Sequence, residues 1–213
     1  MPLQNRVTPE GDIIATPHRG LLMGNRGGAF HLPNRTLGRR RWASRQWIAC
    51  VLEFKNRHRP AMMQPNRYTE LFFLDEATAL AAGHRPCFEC RRRDAERFAM
   101  LWARTHNWPA PARAAAMDFE LQAERVDRQG QKLTFLAPLA SVPIGSFVRL
   151  ANGGGMQSYL VQKDRLLAWS PAGYAKQRPL PRQGQVEVLT PRSIVAVLSA
   201  GYRPMLHPSA AQG

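Results

Sequence analysis

Cys87 and Cys90, in Cys87-Phe88-Glu89-Cys90, have the type and spacing to do metal chemistry. A turn of this length at a helix start aims both sulfurs at one point, so the pair can clamp half of a tetrahedral zinc site. Cys50 is the only other cysteine, and an odd number with one close pair suits a metal better than a disulfide framework. A Cys3His set is an ordinary structural one, and His31, His58 and His84 are each candidates for its histidine. Redox chemistry is the rival, because Cys-x-x-Cys opening a helix also describes thioredoxin-like sites. Those follow directly on a strand, whereas a helical pattern, Gly83 and Pro86 precede this pair. Zinc is therefore the expected cofactor.

Charge supplies the second set of candidates. Thirty Lys+Arg stand against fifteen Asp+Glu, a formal net charge of +15, and only Lys55, Lys132, Lys163 and Lys176 are lysines. Arginine grips phosphate with a bidentate fork, and an excess of this size points to a polyanionic partner. Between His31 and Arg67 there are eight arginines and Lys55 against one acid, Glu53. Arg39, Arg40, Arg41 and Arg45 are interleaved with Trp42 and Trp47, a combination that can hold a backbone and stack on a base. Arg91, Arg92 and Arg93 follow the cysteine pair. These seven arginines are the expected phosphate contacts, with DNA the first partner and RNA the second. The alternatives are a basic face for an acidic protein, or a solvated loop whose tryptophans pack on the core.

The elements that would position these residues can be read in outline. Met23-Gly24-Asn25-Arg26-Gly27-Gly28 lacks the ending of a phosphate-cradling loop and reads as a turn. Trp47 to Phe54 and Tyr68 to Leu74 read as strands. Asp75 should cap a helix over Ala77 to Ala82 that stops at Gly83, and a second helix should run from the cysteines to about His106. Trp108-Pro109-Ala110-Pro111 is the best boundary, dividing a module within 13–108 from a segment 112–213. Ala112 to Val126 reads as a helix. Short strands are then expected at Lys132–Leu136, Ser146–Leu150, Gln157–Gln162, Leu166–Trp169 and Val186–Leu189. A final helix starts at Thr190-Pro191 and ends on Gly201. The fold class is α+β: a small zinc module, then a mostly β segment with two helices. Ala79 to Pro86 and Val197 to Pro204 share one helix stop, Gly-aromatic-Arg-Pro.

The run Phe73-Leu74-Asp75-Glu76-Ala77-Thr78-Ala79-Leu80-Ala81-Ala82-Gly83-His84-Arg85-Pro86-Cys87-Phe88-Glu89-Cys90 resembles the second half of the Ada-type metal-binding domain. That domain forms the N-terminus of a bacterial DNA-repair protein that removes methyl groups from phosphotriesters. The resemblance implies zinc, DNA and two further ligands upstream. His31-Leu32-Pro33-Asn34-Arg35 resembles the histidine-containing form of the upstream pair, but Arg35 stands at the second ligand position. Cys50 is the expected substitute, giving His31, Cys50, Cys87 and Cys90. A histidine at the first position cannot accept a methyl group as the family's thiolate does, so the resemblance favours DNA binding over repair. Cys50 is the remaining candidate acceptor.

Residues 112–213 resemble no family. Asp118, Glu120 and His207 would make a catalytic site only if the fold brought them together, and no hydrolase, zincin or dinucleotide fingerprint is present. The opening Met-Pro-Leu-Gln-Asn-Arg has no apolar signal-peptide region. No apolar run approaches the roughly 20 residues of a membrane span. A cytoplasmic protein without a membrane partner is the expectation.

Overall fold

The computed structural model describes residues 1–56, 61–181 and 183–211. The chain is α+β, with two six-stranded sheets and four α-helices among these residues. The first sheet contains β1 (Gln4–Val7), β2 (Ile13–Ala15), β3 (Leu22–Arg26), β4 (Trp47–Val51), β5 (Leu71–Phe73) and β6 (Arg85–Pro86), in the order β2-β1-β5-β3-β4-β6. The 23–28 run is thus not a turn throughout. Met23 to Arg26 belong to β3, and only Gly27 and Gly28, both at positive φ, turn the chain. Gly24 is required there: a Cβ would lie 2.1 Å from the Ile48 carbonyl oxygen and 2.9 Å from the Phe73 ring.

Asp75 caps α1 (Glu76–Ala81) as expected, its side chain accepting from the Thr78 N–H. Gly83, at φ +84°, ends it. The next helix, α2 (Arg92–Thr105), begins after the cysteine pair rather than on it, and α3 (Ala114–Arg125) follows the Trp108–Pro111 break. The second sheet holds β7 (Phe135–Pro138), β8 (Phe147–Ala151), β9 (Met156–Val161), β10 (Arg165–Ser170), β11 (Gly173–Pro179) and β12 (Gln185–Val188), ordered β11-β10-β9-β8-β12-β7. The aromatic Trp169–Tyr174 stretch is the tip of the β10–β11 hairpin, with Ser170 paired to Gly173. The last helix, α4 (Arg192–Ser199), takes its cap from elsewhere. Thr190 instead accepts from the Phe147 N–H, while the Glu124 carboxylate of α3 binds the Ser193 N–H at 2.9 Å.

The short, alanine-rich α1 is the hub. All six of its residues are buried. Ala79 joins the core under the first sheet, Ala77 and Ala81 the core of the second, and Leu80 the core shared by α2, α3 and α4. Small side chains let one helix approach three layers, and packing therefore runs across the Trp108–Pro111 break. Among the described residues no helix is long and apolar enough to cross a membrane.

Candidate metal centre

β4 alternates: Trp47 and Ala49 are buried in the sheet, while Ile48 and Cys50 are only half-buried on the other face. β6 runs parallel beside it, Ile48 opposite Arg85 and Ala49 opposite Pro86. Against the sequence expectation, a two-residue strand thus directly precedes the cysteine pair. It is the third sulfur, Cys50, that sets this cluster apart from a two-cysteine redox site. The Cys87 N–H donates to the Ala49 carbonyl at 3.0 Å, which sets Cys87 next to Cys50. The chain then turns tightly, the Arg91 N–H reaching the Cys87 carbonyl at 3.0 Å and returning Cys90 to the same spot. The sulfurs of Cys50, Cys87 and Cys90 all lie within 4.8 Å of one another. Bonds of about 2.3 Å to a tetrahedral zinc place sulfurs about 3.8 Å apart, so a small adjustment closes the site on an ion.

Backbone amides complete the donor environment. The Glu89 N–H points at the Cys87 sulfur at 3.4 Å, the Cys90 amide also serves Cys87, and the Val51 amide serves Cys90. Hydrogen bonds from Cys50 and then Cys90 push the Cys87 thiol down, while the Cys50 thiol is pushed up by its bond to Cys87. A thiophilic cation would replace these sulfur–sulfur hydrogen bonds on binding.

Two buried arginines clamp the turn at its ends. Before it, Arg85 donates Nε and Nη2 to the two carboxylate oxygens of Asp118, at 2.9 and 2.7 Å. After it, Arg91 pairs with Glu76 at 2.8 Å and Asp94 at 2.7 Å. These anchors escaped the sequence reading; their one signal was the scarcity of acids, because an acid kept inside a basic chain needs a cationic partner.

The expected residues divide accordingly. Cys50, Cys87 and Cys90 come together. His31 does not join them: its Nδ1 bonds the Thr69 hydroxyl at 2.8 Å and its Nε2 meets the Gln64 carbonyl at 3.1 Å. His84 is fully buried between Trp47 and Phe73, its Nε2 accepting from Arg26. His58 lies outside the described residues. Arg91 is corrected from a phosphate contact to an internal anchor, being buried and doubly paired. Arg39, Arg40, Arg45, Arg92 and Arg93 are exposed, with Arg92 bound to Glu96 at 3.1 Å across one helical turn. Arg41 is half-buried, donating to the Gly38 carbonyl. Asp118 is consumed by Arg85, Glu120 is exposed, and His207 bonds Ser209, so no catalytic group forms from them.

Compared with known proteins, the chain matches no family model, no curated protein and no solved structure, so its function must be read from its own residues.

Proposed function

We propose that Cys50, Cys87 and Cys90 hold a structural zinc ion in a protein that binds nucleic acid, DNA first, through its exposed arginines. The convergence of three sulfurs from two separate chain segments carries the metal part of this reading. Zinc suits a thiolate-rich set without redox demands. When bound it supplies a cross-link: β4 tied to the turn that launches α2. The chain's own residues do the rest, with amides softening the sulfur charge and Arg85 and Arg91 fixing the turn. The nucleic-acid part rests on the +15 charge and on the exposure of Arg39, Arg40, Arg45, Arg92 and Arg93. The Ada-type resemblance is consistent with both parts.

Metal analysis of the purified protein should find one zinc per chain. Serine at any of the three cysteines should release it and weaken the fold, since site assembly and folding are linked. X-ray absorption should show three sulfurs and one lighter donor. A protein with no metal and three freely titrating thiols in the native state would overturn the reading. For DNA, log affinity should fall linearly with log salt. Replacing Arg39, Arg40 and Arg45 by Gln with zinc retained should flatten that line by roughly 2 to 3, about 0.9 per lost duplex contact. An unchanged slope would make these arginines a solvated surface. Incubation with methylated DNA should leave the intact mass unchanged; a one-methyl gain that vanishes in Cys50→Ser would establish repair instead.

A further inference from the structure

Arg26 and Arg125 are 2% and 0% exposed, and neither belongs to the metal centre or the basic surface. Both stack on the Trp47 ring, at 4.0 and 4.2 Å. Their N–H groups meet only neutral acceptors: the Gly11 and Arg41 carbonyls and His84 for Arg26, and the Gly83 and Arg45 carbonyls and Gln122 for Arg125. Among the described residues neither makes an ion pair. Lys132 turns its ammonium onto the Ala81 carbonyl, which leaves two of its three donors unassigned. All three cations line one cleft of about 460 Å3, bounded by residues of both sheets and by Trp42.

Two acids, Glu10 and Asp12, reach the cleft from the β1–β2 turn, and Glu187 is already paired with Arg149 at 2.6 Å. Buried cations held by carbonyls rather than carboxylates are costly. They are also fixed in advance for a negative ligand, because the stacked ring and the carbonyls hold them in place. Asp12 and Asp118 act on Arg26 and Arg125 only through space, without a direct ion pair. The volume falls within the range of small-molecule sites, about 300–1,000 Å3.

We propose that this cleft binds a phosphate ester, with Lys132 contacting the phosphate, Arg26 and Arg125 supplying the field behind it, and Trp42 packing on the organic part. A compact dianion matches three cations better than a single carboxylate does. The ester can be a free phosphorylated small molecule or a nucleotide of a nucleic acid. The proposal stands independently of the metal centre.

Pyridoxal 5′-phosphate is the probe. The Lys132 amine attacks its aldehyde carbon, water leaves, and borohydride delivers hydride to the imine to give a stable secondary amine. Peptide mapping of the wild-type protein should show Lys132 labelled ahead of Lys55, Lys163 and Lys176, with saturating inorganic phosphate slowing the labelling about tenfold, as roughly 90% occupancy demands. Equal labelling of all four lysines, or no protection by phosphate, overturns the proposal. Protection by adenosine monophosphate identifies a small ester; protection by an oligonucleotide alone identifies a nucleic-acid source. Lys132→Met, checked for unchanged zinc and circular dichroism, should lose the tryptophan fluorescence response to inorganic phosphate. A retained response overturns the direct contact, and if that variant fails to fold, the wild-type labelling decides.

Discussion

Asp118 illustrates how an acid in a basic chain is spent on architecture. It lies 33 positions from Arg85, buried with it, and the two oxygens meet two guanidinium nitrogens. Asp118→Ala leaves the guanidinium buried and unpaired, which costs about 3 to 5 kcal/mol. Denaturant unfolding should show that loss, and affinity for the proposed zinc should fall with it because Arg85 leads into Cys87. Lys132 carries a charge penalty of the same origin. Burial first, then the Arg26 guanidinium, lowers its ammonium from 10.5 to about 7. The unfolded chain therefore binds more protons than the folded one between about pH 7 and 10.5, so the Lys132 contribution to stability rises with pH across that window. Without phosphate present, Lys132→Met should flatten this rise. Parallel curves for wild type and variant in thermal melts would show that the lysine is not enclosed.

The repeated helix stop is a single device set in two surroundings. After α1, the Gly83 N–H bonds the Leu80 carbonyl at 2.9 Å and the His84 N–H the Ala79 carbonyl at 2.9 Å. After α4, Gly201 and Tyr202 bond Leu198 and Val197 in the same way, at 3.0 and 3.2 Å. Both glycines have positive φ, +84° and +104°. Alanine in that conformation costs roughly 1–2 kcal/mol. A Cβ on Gly201 meets nothing, whereas one on Gly83 lies 2.8 Å from the Arg125 side chain. Gly83→Ala should thus be the costlier substitution by about 1 kcal/mol or more, through the displaced arginine. Equal losses in chemical denaturation would mean that Arg125 yields freely.

Three cores meet on the faces of α1, and α2 packs on α4 across the break, so the two halves share their apolar interior. The C-terminal segment reinforces it. Tyr202 and the Met205 N–H bond the Glu76 carboxylate at 2.7 and 2.9 Å, and Tyr174 and the His207 N–H bond Asp75 at 2.8 and 3.1 Å. A chain cut at the Trp108–Pro111 break leaves each half with an open apolar face. Fragments 1–108 and 112–213 should therefore lack cooperative unfolding when separate and bind a hydrophobic dye. Two independent, sharp transitions would instead restore the two-unit division read from the Pro-rich break.

Local rules made much of this protein legible in advance. The Asp75 cap, the Gly83 and Gly201 stops, the α2 and α3 helices and most strands of the second sheet follow from nearest-neighbour chemistry that operates over a few residues. Cys50 was expected beside Cys87 and Cys90, and β4–β6 pairing delivers it. His31 was placed there by analogy, but its ring is turned to Thr69 and Gln64 by contacts more than thirty positions away. Arg91 looked like its exposed neighbours because side-chain burial depends on which helix face meets Glu76, not on the run of arginines itself. The cleft was invisible for the same reason: Arg26, Arg125 and Lys132 come from a strand, a helix end and an isolated β-bridge. Their proximity exists only once both sheets have closed around α1, since long-range packing, unlike helix capping, leaves no periodic trace along the chain.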